Sequence, residues 1–210
     1  MKTLVPLILF TCSISLAFSQ TSEPVESITK GTKFIGGSFG FSSTKRDDTY
    51  RYTGISIGPG MGYYIMDDLA FGGFIGYNYS KNDFPNSNSF STYSGISFSA
   101  FLLKNYRISN NFFFTLQPGL SVGSSKQKFS NETNNYSNLS LGLGISPGIM
   151  LFLNKKFALQ TSLGNLGYSY ERRKPENGET SNTHNFGLNG TLSTSYFSIY
   201  YFIWSPSFML

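Results

Sequence analysis

From Gly54 to Ser80 large apolar side chains alternate with small ones over most of the stretch. Ile55, Ile57, Pro59, Met61, Tyr63 and Ile65 fall on one side, and Gly54, Ser56, Gly58, Gly60 and Gly62 on the other. After Met66-Asp67-Asp68 the alternation resumes, with Leu69, Phe71, Ile75, Tyr77 and Tyr79 set against Ala70, Gly72, Gly76, Asn78 and Ser80. Successive side chains on a strand point to opposite faces, so this period requires two extended strands joined by a tight turn. It rules out a helical reading of the stretch.

The pattern recurs along the chain. A first strand is expected at 32–43, with Ile35, Phe39 and Phe41 opposite Gly36, Ser38 and Gly40. A fourth is expected at 92–103, a fifth at 112–124, and a sixth in which Leu139, Leu141, Leu143 and Ile145 oppose Ser140, Gly142, Gly144 and Ser146. Asn154-Lys155-Lys156 turns into a seventh strand beginning at Phe157, whose phase slips near Gly164-Asn165 and implies a bulge. The eighth is expected over 184–203, with Phe186, Leu188 and Leu192 on one face. Polar stretches at 44–50, 81–91, 104–111, 126–136 and 171–183 read as connections. Pro59-Gly60 and Pro147-Gly148 stand 88 residues apart and each precedes a tight turn, as two equivalent hairpins would. Pro59, Pro118 and Pro147 occupy apolar-face slots within strands, where a missing N–H suggests bulges or bends.

Met1-Lys2, an apolar run from Leu4 to Phe18 and the small Ser19 form a secretory signal peptide over residues 1–19, carrying the only cysteine, Cys12. Residues 20–30 read as a flexible N-terminal tail and 31–210 as one domain. A net charge of +5, spread thinly, offers no basic stripe for nucleic acid.

The second face decides what surrounds the sheet. A water-soluble barrel would carry Lys, Glu, Asp and Arg there, but the strand bodies are nearly free of charge. Gly, Ser, Thr, Asn and Gln suit the interior of a narrow barrel, which leaves the Leu, Ile and Phe face to lipid. Mid-membrane charge on that face would cost about 2–4 kcal/mol per residue. A closed sheet also pairs every backbone group in a medium with no hydrogen bonds to give. Aromatic girdles are expected at both ends. Tyr63, Phe71, Tyr106, Phe112, Phe157, Phe202 and Trp204 form one; Phe41, Tyr77, Tyr79, Tyr93, Tyr168 and Tyr170 form the other. The reading is an all-β, eight-stranded antiparallel up-and-down transmembrane β-barrel.

The run Pro59-Gly60-Met61-Gly62-Tyr63-Tyr64-Ile65-Met66-Asp67-Asp68-Leu69-Ala70-Phe71-Gly72 resembles the recurring hairpin of the outer membrane β-barrel domain family, small porin-like barrels of Gram-negative bacteria. The resemblance implies an outer-membrane location, both termini in the periplasm and long loops outside. It also implies insertion by the barrel-assembly machinery reading the last strand. One departure is the tail Ser205-Pro206-Ser207-Phe208-Met209-Leu210, which would shift the insertion signal to Tyr200-Tyr201-Phe202.

Few residues carry chemistry. Some eight-stranded barrels modify lipid A, and a deacylase needs a serine, a histidine base and an acid. Here the one histidine, His184, is followed by Asn185 and Phe186, with Ser181 and Glu179 before it. No catalytic, cofactor or metal residue is nominated. Arg172, Arg173 and Lys174 are the candidate contacts for lipopolysaccharide phosphates. Phe34, Phe74, Phe101, Phe113 and Phe152 fall on the inward face and are expected to cork the periplasmic end. The expected protein is a monomer in contact with outer-membrane lipids, with a structural or surface-interaction role. The alternatives are a small-solute channel and a lipid A-modifying enzyme.

Overall fold

The structure is a computed structural model that describes residues 24–46, 49–87, 89–130, 135–190 and 197–205. The expected signal peptide at 1–19 with Cys12, Leu192 of the last strand and the segment 206–210 lie outside these residues.

Ten strands make one antiparallel sheet: β1 (Lys33–Arg46), β2 (Tyr50–Met66), β3 (Leu69–Phe84), β4 (Ser89–Ser109), β5 (Phe112–Phe129), β6 (Tyr136–Phe152), β7 (Phe157–Ser162), β8 (Gly164–Pro175), β9 (Ser181–Gly190) and β10 (Phe197–Ile203). Each of β1 to β6 pairs with the next, β7 pairs with β6 and β10, and β10 pairs with β1, closing a ring of eight. β7 and β8 are two parts of the expected seventh strand. Between Ile145↔Leu166 and Gly148↔Ser162 the register against β6 slips by one residue, at Leu163, whose N–H donates to Pro147 O at 2.8 Å. The bulge expected near Gly164 is therefore present. The eighth strand is likewise met as β9 and β10.

Strand polarity places the ends. Two-residue turns at Asp67-Asp68 and Asn110-Asn111, the 153–156 turn, the start of β1 and the end of β10 all lie at one end. Asp68 and Asn111 have φ of 58° and 65°, a left-handed conformation that Asp and Asn tolerate better than other side chains. Short turns mark the periplasmic end of such a barrel.

Most strands outrun the sequence reading. β2 has 17 residues, β4 has 21 and β5 has 18, because polar segments read as connections continue the ladders beyond the apolar band. Much of 171–183, for example, is strand: Arg172 pairs with Asn182 and Arg173 with Ser181. Once a hairpin is begun, polar residues extend it in water as readily as apolar ones do in lipid.

At Pro59 and Pro118 one of the two expected irregularities, the bulge, is absent. Around Pro59 the β2–β3 pairing lapses between Ile57↔Tyr77 and Gly60↔Phe74, and around Pro118 the β4–β5 pairing lapses between Phe101↔Gly119 and Lys104↔Leu116. Register is unchanged across both gaps, so each proline removes local ladder bonds without a bulge.

Side-chain orientation follows the alternation. Ile35, Phe39, Ile57, Ile96, Phe98, Leu120, Leu141 and Leu143 are exposed on the outer surface. The core lies inside the ring and toward the short-turn end, around Phe34, Tyr64, Phe113, Met150, Phe152, Tyr200 and Phe202. Three girdle residues are thereby reassigned. Phe202 is buried in the core, Trp204 packs against it, and Tyr93 shares the inward face of Gly95, near which its hydroxyl sits. Phe202 pairs with inward Phe34, and that parity overrides its proximity to the girdle.

Candidate functional site

The interior has a filled floor and an open chamber above it. Phe34 meets Tyr200 edge-on at 5.2 Å and Phe202 at 5.7 Å; Phe152 lies 4.8 Å from Phe202 and 5.7 Å from Phe113; Phe74 stacks on Phe101 at 4.9 Å. Such pairs add roughly 0.5–1.5 kcal/mol each beyond their burial. All five phenylalanines expected to cork this end are inward and clustered, with Phe74 only partly buried. The rings fit because their neighbours lack side chains. A Cβ on Gly60 would stand 2.1 Å from the Phe74 ring, one on Gly62 2.2 Å from Phe34, and one on Gly72 2.6 Å from Phe101.

Sequence reasoning missed Tyr64, Leu103, Met150, Tyr200 and Phe202 as members of this floor. Tyr64, Leu103 and Met150 share the parity of Gly62, Phe101 and Phe152, already read as inward, so carrying the count two residues further would have found them; Tyr200 and Phe202 share the parity of Phe186 and Leu188, read as outward, and only their pairing with β1 brings them inside. Tyr64 is also anchored by chemistry: its hydroxyl accepts from Asn105 Nδ2 at 2.7 Å, wholly inside the barrel.

The floor is sealed from below by a segment read as a flexible tail. From Pro24 to Thr32 the chain crosses the short turns, with Val25, Ile28 and Thr32 buried. The Val25 N–H donates to Asn111 Oδ1 at 2.7 Å, Ile28 N–H to Asp68 Oδ1 at 2.8 Å and Lys30 N–H to Asp67 Oδ1 at 2.7 Å. The Asp68 N–H returns a bond to Ile28 O, and Ser27 Oγ donates to Asp68 Oδ2. The turn carboxylates and amide thus receive the N–H groups of a chain that has no strand partner there. Flexibility is overturned for this stretch; Val25 and Ile28, three apart in a polar run, are its only sequence signal.

Above the floor the lining changes to small uncharged polar groups. A cavity of about 430 Å³ is walled by β4, β5, β6, β8 and β9, with Ser99, Gln117, Ser121, Ser146, Asn165 and Asn185 on it and no charged residue. Asn165 Nδ2 donates to Ser146 Oγ at 3.0 Å, and Gln160 Nε2 to Gln117 Oε1 at 3.2 Å. Gln160 Oε1 and Thr115 Oγ1 are buried without a partner among the described residues. A second space of about 630 Å³ lies against β1–β4, lined by Ser42, Tyr52, Ser56, Asn78 and Tyr93.

The candidate basic residues are on strand β8, not at a loop tip, and do not converge. Arg173 follows the inward parity and stacks on Tyr136, 3.5 Å from the ring centre. Arg172 and Lys174 share the outward parity of Tyr168 and Tyr170, and all three cations are exposed. His184 Nδ1 is 2.6 Å from the Tyr168 hydroxyl, and its ring lies 5.1 Å from Tyr170. Neither Ser181 nor Glu179 is bonded to it among the described residues, so no nucleophile–base–acid chain is assembled there. The described residues include no group of three His, Cys, Asp or Glu placed to hold a metal.

A family model described as an outer membrane protein β-barrel domain matches residues 8–192. Among solved structures, a major outer membrane protein from Thermus thermophilus is 12% identical, with a TM-score of 0.45, covering 82% of this chain and 99% of its own. Neisserial surface protein A (NspA) is 17% identical with a TM-score of 0.41, covering 86% and 100%. The translocator domain of the autotransporter NalP from Neisseria meningitidis is 9% identical with a TM-score of 0.44, covering 90% of each chain. No curated protein matches.

Proposed function

Since this chain belongs to the outer membrane protein β-barrel domain family, we propose that it is an outer-membrane barrel with a structural or surface-interaction role and no through-going pore. The observation that carries the reading is the floor. Nine large aromatic or aliphatic side chains with almost no exposure fill the ring at the periplasmic end, and a hydrogen-bonded strap crosses beneath them. An ion crossing it would shed its water among groups that offer no compensating charge. The role then falls to the outward extensions of the strands, which project polar side chains beyond the membrane. Arg172 and Lys174, on the lipid-facing side of β8, are placed for phosphates of lipopolysaccharide, whereas Arg173 is engaged by Tyr136. The same reading has the chain exported by a cleaved signal peptide, inserted by the barrel-assembly machinery and working as a monomer without catalysis.

Planar bilayers test the closed floor. Purified, heat-modifiable protein is expected to give no steady ohmic current, and a folded variant with Phe34, Phe152 and Phe202 all changed to alanine is expected to give one. Steady conductance from the wild type would refute the reading.

A further inference from the structure

The strand register assembles a cationic patch from residues far apart in the sequence. Lys126 on β5 and Lys174 on β8 both stand opposite Ser137 of β6, one on each side. Two strand spacings of about 4.8 Å set their Cα atoms about 10 Å apart. Arg172 lies one row nearer the membrane, opposite Leu139. Lys126 shares the outward parity of exposed Leu120 and Val122, as Arg172 and Lys174 share that of Tyr168. All three cations are exposed, and none makes a hydrogen bond or ion pair with a described residue. Carboxylates of the neighbouring segments are turned elsewhere. Glu176 accepts from Asn135 Nδ2 at 3.2 Å, Glu171 stands opposite inward Ser140, and Asp83 lies 3.8 Å from Lys81. Glu179 belongs to the connection beyond β8.

Directly below this patch, on the same lipid-facing surface, runs an apolar groove of about 830 Å³. Phe98, Val122, Leu141 and Tyr170 form its upper row, and Leu120 and Leu143 belong to the row beneath. Ala100 shares the lower row with these leucines, and its short side chain leaves the depression. Arg172 follows Tyr170 by two residues along β8, a rise of about 7 Å. Cations therefore begin one step above the point where the groove ends. The Tyr168 hydroxyl and His184 Nδ1, 2.6 Å apart, and the Tyr170 hydroxyl, which donates to Asn182 Oδ1 at 3.0 Å, supply polar groups at that boundary.

We propose that patch and groove form one site for a single phosphorylated lipid of the outer leaflet. Its phosphate sits among Lys126, Arg172 and Lys174, where guanidinium and ammonium groups give charge-assisted hydrogen bonds, and one acyl chain lies in the groove over Ala100. Phosphate and chain bind together because the two surfaces are contiguous. Free phosphate gains only the exposed, water-screened half of the interaction. The inference rests on the outer-membrane reading and extends its β8 contacts by a residue of β5 and an acyl seat. Lys126 separates the two, since contact through β8 alone does not use it.

Native mass spectrometry of the full folded barrel, with dipalmitoyl phosphatidate as the probe, tests the site. The wild type is expected to retain one phosphatidate at concentrations where dipalmitoylglycerol, which has the same chains without the phosphate, is not retained. Lys126→Gln, Arg172→Gln and Lys174→Gln are each expected to weaken retention by about fivefold to tenfold, and Arg173→Gln to leave it unchanged. Ala100→Trp, which fills the depression from the lipid side, is expected to weaken it by about tenfold while heat-modifiability is retained. Excess inorganic phosphate is expected not to displace the lipid. Loss of binding with Arg172→Gln but not with Lys126→Gln would overturn the joint site and leave the β8 contact standing. Equal retention of dipalmitoylglycerol, displacement by inorganic phosphate, or indifference to Ala100→Trp would also overturn it.

Discussion

The two halves of this barrel are built from the same alternation and end in opposite states. In the short-turn half the inward positions hold Phe34, Tyr64, Phe113, Phe152 and Phe202, the glycines between them admit the rings, and the hydrogen-bonded ring is complete. In the outer half the inward positions hold Ser, Asn and Gly, and the interior is a chamber. Outward residues scarcely differ between halves, because lipid asks the same of both. The contrast teaches that the apolar face reports the solvent, while the size of the inward residues decides whether the lumen is filled or empty.

The sharpest way to break the contrast is to place the same side chain in each half. Gly62→Leu drives a Cβ into the Phe34 ring, and overpacking of this kind is expected to cost about 3 kcal/mol. Gly187→Leu enters free space and is expected to be nearly silent. Urea unfolding followed by gel mobility compares them, and equal losses would mean that the halves do not differ in packing.

A smaller separation is expected on one strand. Phe34→Ala empties a fully packed site and should cost roughly 3–4 kcal/mol. Phe39→Ala only trims a lipid-facing surface, at about 1–2 kcal/mol. The same unfolding assay would contradict the assignment of faces if Phe39→Ala proved the more damaging.

Next in size is the strap. Asp68→Ala removes acceptors for Ile28 N–H and Ser27 Oγ and should cost about 1–2 kcal/mol locally. Faster tryptic cleavage after Lys30 is the expected sign, with the barrel otherwise intact. Unchanged cleavage would leave the strap held by its buried Val25 and Ile28 alone.

Least of all, Arg173→Ala should cost about 0.5–1 kcal/mol through loss of its stacking on Tyr136. Binding of lipopolysaccharide should fall more for Arg172→Ala than for Arg173→Ala, since only Arg172 has the outward parity. The reverse order would move the contact into the mouth of the barrel.

These contrasts also mark what was legible beforehand. Strand number and the inward phenylalanines followed from period two, and the identity of the lipid face from the uncharged, small composition of the face opposite Leu139 to Ile145. The bulge near Leu163 was legible as a slip of phase. Of the bulge or bend expected at Pro59 and Pro118, the bulge is absent, because a lost N–H does not by itself say whether the chain adds a residue. The strap left only Val25 and Ile28 as a signal because its bonds run from backbone N–H groups to Asp67, Asp68 and Asn111, and any sequence has such N–H groups to give. Arg172, Arg173 and Lys174 were legible as charges but not as divided between two faces, which depends on β8 continuing past the membrane.

A single-cysteine scan down β6 in intact bilayers, read with a membrane-impermeant maleimide, tests the central claim most directly. Reactivity is expected at Ser140, Gly142, Gly144 and Ser146, with protection at Leu139, Leu141, Leu143 and Ile145, and protection again at Met150 and Phe152, where inward residues meet the floor. Labelling of Met150 and Phe152 as readily as Ser140, or of the leucines in place of the serines, would contradict it.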